Sequence, residues 1–162
     1  MFSLLLQTAE FTPGTLRACL VATTAINVLE IPRYHIPPLY RSGMVYKRQS
    51  GCYGIRDENG RSASFCSVPG VVDASDPVLF REQWRTAVVA YNEDPREGDC
   101  KVLGCWRAAE LQIAGYRAFA FPRVRRYYNA QSSRWENLAH ILVNRGDGTI
   151  EDPSRVLGMG EE

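Results

Sequence analysis

Leu16, Leu20, Thr23, Thr24, Asn27 and Val28 recur at helical spacing behind Thr12-Pro13-Gly14, which reads as an N-cap followed by proline in the first turn. This pattern predicts a helix over residues 13–29 that ends at Ile31-Pro32, after a short strand within residues 2–9. Pro32, Pro37 and Pro38 argue against regular structure at the start of the next segment. Met44-Val45-Tyr46 reads as a short strand, and the Gly-, Ser- and Asp-rich run from Gln49 to Asp76 as a long loop, so residues 31–76 form a loop-rich segment. Asp76-Pro77 repeats the helix-start signal. Leu79, Phe80, Gln83, Trp84, Ala87, Val88 and Tyr91 then supply an apolar stripe that predicts a second helix.

Asn92 to Gly98 breaks that stripe, and Asp99 is placed to cap a third helix over about 100–114. Leu103, Trp106, Ala109, Leu111 and Ile113 are its apolar positions, and Gly115 stands where a helix-ending glycine belongs. The period then changes. Ala118 to Phe121, Val124 to Tyr128 and the alternating run Leu138 to Val143 read as strands. Asn144-Arg145-Gly146-Asp147-Gly148 is a turn, and Thr149 to Glu151 returns from it. Helices first and strands afterwards predict an α+β fold in a single domain over residues 1–162.

Composition changes this picture little. Hydrophobic residues make up 45% and charged residues 23%, as in soluble globular proteins, and the net charge of +1 favours neither nucleic acid nor a membrane as partner. The apolar N-terminal run Phe2 to Leu6 is short and lacks a basic flank, so it does not read as a signal peptide or a span. Five cysteines, an odd and sparse set, predict mostly free thiols in a reducing compartment. Their spacing with His35 and His140 lacks the close pairs of a zinc site, so no metal or cofactor is expected.

The order Cys100, His140, Asp152 is the feature that points to chemistry. A thiol attacks carbonyls as thiolate, and unpaired amides at a helix start favour negative charge. Cys100 falls at such a start, whereas Cys105 lies one turn inside and reads as a small core residue. The amide of Cys100 or Lys101 is placed to hold an oxyanion. A five-residue loop from Asn144 to Gly148 would pair Val143 with Thr149 and set His140 opposite Asp152. An acid there would orient the imidazole as base for the thiol. Trp84 and Trp135 are candidates to line a substrate cleft, against the alternative that each is core. From Arg117 to Arg134 there are five arginines and no acid, which reads first as a solvated strand face and otherwise as a grip for nucleic acid or an acidic partner.

The motifs Pro37-Pro38-Leu39-Tyr40-Arg41-Ser42-Gly43-Met44-Val45-Tyr46, Gly98-Asp99-Cys100, Cys105-Trp106-Arg107-Ala108-Ala109-Glu110-Leu111, His140 and Gly148-Thr149-Ile150-Glu151-Asp152-Pro153-Ser154-Arg155-Val156-Leu157-Gly158-Met159 occur in this order. Together they resemble the small transglutaminase-like, papain-like proteins of tailed bacteriophages and prophages. The resemblance implies a papain-like core in which the cysteine caps a helix and the histidine and aspartate sit on adjacent strands. It assigns Cys100 as nucleophile, His140 as base and Asp152 as orienting acid. The implied activity is acyl transfer or hydrolysis on a peptide or protein amide. The implied location is the cytoplasm of a bacterial host. A role beside other phage structural proteins, in the virion or its assembly, is the alternative to catalysis. Lys101 departs from the pattern, since the group often has two acids after the cysteine.

Overall fold

The computed structural model describes residues 3–7, 13–48, 54–56, 62–64, 81–130 and 133–160. The described chain is a mixed α+β structure. A helical layer of α1 (Pro13–Arg33) and α3 (Cys100–Ile113) packs on a sheet built around two long strands, β7 (Phe119–Asn129) and β8 (Arg134–Asn144). Leu16, Leu20, Cys105, Ala108 and Leu111 from the helices meet Ala120, Ile141 and Val143 from the sheet, and Ala118 just before it, in one core cluster. A second cluster joins Ile31, Ile36, Leu39 and Met44 to Val102, Leu103 and Trp106. No helix among the described residues is long and apolar enough to cross a membrane.

α1 runs four residues past the expected end and takes Pro32 into its last turn. Proline costs one amide donor there, and the helix is closed by other means. The His35 amide donates to Pro32 O (3.3 Å) and the Ile36 amide to Ile31 O (3.0 Å), with His35 in the left-handed region (φ 52°). The same closure ends α3 as expected from Gly115. The Gly115 amide donates to Gln112 O and the Tyr116 amide to Leu111 O, at φ 95° for Gly115.

The expected helix over 77–91 is corrected. Arg81–Arg85 forms strand β5, antiparallel to β1 (Ser3–Gln7), and only Ala87–Asn92 is helical, as α2 behind Thr86. Residues 77–80 lie outside the described residues. The Asn27 side chain reaches across from α1 to accept the Ala87 amide at 2.8 Å, which anchors α2 at its first residue. A two-stranded parallel pair links β2 (Val45–Tyr46) with β6 (Glu97–Gly98), immediately before α3.

The main sheet has the order β3-β4-β8-β7, with β9 (Ile150–Glu151) also pairing with β8. β3 (Gly54–Arg56) and β4 (Ser62–Ser64) come from the stretch expected to be loop. Short pairs such as Ala63↔Asn137 depend on a partner some 70 residues away, so no local pattern marks them. The two expected strands around Pro122 are one, β7, at the sheet's edge, where a missing amide is tolerated.

Candidate active site

Asp99 starts α3. Its Oδ1 accepts the amides of Lys101 (3.0 Å) and Val102 (3.1 Å), so the helix begins at Cys100 with its cap satisfied. Four residues on, Gly104 lets α3 close onto β8. A Cβ there would stand 2.7 Å from Ile141 Cγ2. Cys100 stands one helical turn before this contact, and His140 one residue before Ile141.

His140 lies between the acid and the thiol. Its Nε2 is 3.0 and 3.1 Å from the two carboxylate oxygens of Asp152, and the Cys100 side chain is near enough to act on its titration. An ionised carboxylate only accepts, so Nε2 carries a hydrogen and Nδ1 is the nitrogen left for the thiol. Burial acts to lower the His140 pKa. The hydrogen bonds with Asp152 and Cys100 and their charges outweigh it and raise the pKa to about 10. For Asp152, burial acts upward, but the bond and charge of His140 hold the carboxyl below its ordinary range.

The hairpin register differs from the expected one. Asn144 pairs with Ile150 and Val143 with Glu151, two residues away from the Val143–Thr149 pairing. The loop keeps five residues but starts one later. Asn144 stays in the strand while its Oδ1 accepts the Gly146 amide (2.8 Å), and Asp147 Oδ1 accepts the Thr149 amide (2.9 Å). Gly146 has φ 88° and packs on the Arg117 backbone, where a Cβ would meet backbone atoms at 2.8 Å. A shift of two preserves the face of every side chain. Asp152 follows β9, caps the short helix α4 (Pro153–Val156) through the Arg155 amide at 3.3 Å, and reaches His140 diagonally.

The remaining expected site residues are placed differently. Lys101 is 2% exposed, with its ammonium 2.5 Å from Asp99 Oδ2 and 5.9 Å from the centre of the Trp84 ring. Its amide is taken by the Asp99 cap and is not an oxyanion donor; Cys100 holds the amide of the first turn that the cap does not take. Trp84 is 1% exposed and belongs to the core cluster, on strand β5 rather than on the expected helix. Neither residue lines an open cleft. The side chain of Trp135, and Cys52 and Cys66, lie outside the described residues. Cys105 is fully buried; burial pushes its thiol up to about 12, and its Sγ faces Leu20 O at 3.6 Å.

Sequence reasoning missed a polar network behind the acid. Glu151 Oε1 accepts the Tyr40 hydroxyl (2.7 Å) and Arg107 Nε (2.9 Å), and Arg107 also pairs with Glu110 Oε2 (3.1 Å). Glu110 in turn accepts the Leu39 amide. The network ties α3 and the Leu39–Arg41 turn to Glu151, and so fixes the residue before Asp152. The three-residue spacing of Arg107 and Glu110 was the one local sign of it.

Comparison with protein-family models, curated proteins and solved structures finds no match, so the reading of this site rests on its geometry and on the motif resemblance.

Proposed function

We propose that the protein is a cysteine-nucleophile enzyme acting on peptide or protein amides through a thioester, on a papain-like, transglutaminase-like core. The observation that carries this reading is His140 bonded through Nε2 to Asp152, with Cys100, at the start of α3, near enough to raise the pKa of the imidazole.

In this reading the Cys100 proton rests on His140 Nδ1, and Asp152 balances the imidazolium. The thiolate attacks the amide carbonyl, and the Cys100 amide is the donor nearest the developing oxyanion. His140 returns the proton to the leaving nitrogen as the C–N bond breaks. Water or a second amine then attacks the thioester, with His140 again accepting its proton. Water gives hydrolysis or deamidation, and an amine gives transamidation.

Iodoacetamide labelling at neutral pH, read by peptide mass, tests this. Cys100 is expected to label more than tenfold faster than Cys105, consistent with the gap between an activated and a buried thiol. Equal rates, together with an unchanged amidase or transamidase readout in Cys100→Ala, would overturn it.

A further inference from the structure

The register of the β7–β8 pair sets Arg123 directly opposite His140 and Arg125 opposite Leu138. Residues opposite one another in an antiparallel pair share a face, with Cβ atoms about 4.5–5.5 Å apart. Arg123 and Arg125 therefore stand on the His140 face, on the side of β8 away from β9 and Asp152. Both are exposed, and neither side chain makes an ion pair or hydrogen bond among the described residues. β7 is the last strand of the sheet among the described strands.

We infer that Arg123 and Arg125 form a subsite for an acidic peptide segment beside the thiol, so that substrates carry Asp or Glu near the reacting amide. The inference rests on the acyl-transfer reading of the site. Two arginines at alternate strand positions are about 6.6 Å apart along the chain, and alternate side chains of an extended peptide have the same spacing. Guanidinium groups pair carboxylates in a fixed fork, and among the described side chains none pairs with these two. Nucleic acid is the weaker occupant, because the register ties this charge to a thiol–imidazole pair that acts on carbonyls.

The test uses the full chain as Cys100→Ala and three fluorescein-labelled probes: a Glu-rich pentapeptide with a central Gln, its Lys-rich counterpart, and a five-nucleotide single strand of DNA. Fluorescence anisotropy is expected to show the acidic peptide binding about tenfold tighter than the basic one. The preference is lost in Arg123→Gln/Arg125→Gln and kept in Arg126→Gln, on the opposite face of β7. In the chain with its thiol intact, the acidic peptide is expected to slow iodoacetamide labelling of Cys100. Equal binding of the two peptides, or a preference that survives the double substitution, overturns the inference. So does tighter binding of the DNA that is lost in the double variant. Failure of the acyl-transfer reading shows separately, as Cys100 labelling no faster than Cys105 without peptide.

Discussion

Gly104 of α3 and Ile141 of β8 meet where no side chain would fit on the helix: a Cβ at 104 would lie 2.7 Å from Ile141 Cγ2. Ile141 is fully buried and β-branched, so it cannot swing away. Gly104→Ala is expected to lower stability by about 1–3 kcal/mol through overpacking, more than the helix-propensity gain of about 1 kcal/mol. Urea melts of Gly104→Ala, Ile141→Ala and the double variant check this. The Ile141→Ala cost, about 2–5 kcal/mol alone, should shrink in the Gly104→Ala background. Iodoacetamide labelling of Cys100 should slow in Gly104→Ala, because pushing α3 off β8 moves Cys100 relative to His140 on that strand.

Asp152 has two roles that one substitution separates. Asparagine keeps the cap on α4 but removes the charge facing His140. Asp152→Asn should therefore lower the His140 titration midpoint from about 10, followed by the imidazole Cε1 proton in NMR, while thermal stability changes little beyond the ion pair. An unchanged midpoint would show that Asp152 does not hold the imidazolium.

The His140–Asp152 pair makes stability depend on pH in a stated window. The histidine's folded value, about 10, lies above its ordinary 6.5, so its contribution is full below about 6.5 and fades as pH rises toward 10. The lowered Asp152 value adds stability above about 3.8 that is lost as pH falls through the folded value. The stability difference between the unmodified chain and His140→Ala should be largest between about pH 4 and 6.5 and smallest near pH 10. Urea melts at pH 5, 7 and 9 check the slope.

Lys101 and Asp99 form a buried pair with side chains 2% and 8% exposed. Lys101→Met leaves the carboxylate without its counter-charge and should cost about 3–5 kcal/mol. Adding Asp99→Asn, which can still cap α3, should recover part of that loss. Thermal melts of the single and double variants measure both.

Glu151 joins Tyr40, Arg107 and, at 3.7 Å, Arg145. Glu151→Gln should cost about 1–3 kcal/mol. Burial first, and then the bond to Glu151, raise the Tyr40 hydroxyl pKa, so its ultraviolet titration should move down in the variant.

The parts of this site that could be read from the chain are those settled by neighbouring residues. Asp99 before Cys100 and Gly115 after the helix are capping chemistry, complete within a few residues. The face of Asp152 was legible because strand parity survives a shift of two; its register was not, because that depends on whether Asn144 ends the strand or starts the turn. The helix expected around Trp84 failed because β1, 80 residues earlier, claims that segment as its partner strand. Tyr40, Arg107 and Glu151 each look like ordinary surface residues until three elements bring them together. The partner of Gly104 is equally invisible without the sheet.

Asp152 also gives the site an order of completion. A chain made as far as β8 already has the thiol and the imidazole, yet lacks the carboxylate that holds the imidazolium. That carboxylate is positioned by the turn that follows it, and Leu157 O, just past that turn, accepts the Tyr46 amide of β2. The last segment therefore completes the fold and the surroundings of His140 together, since the same residues that hold Asp152 also pair with β2.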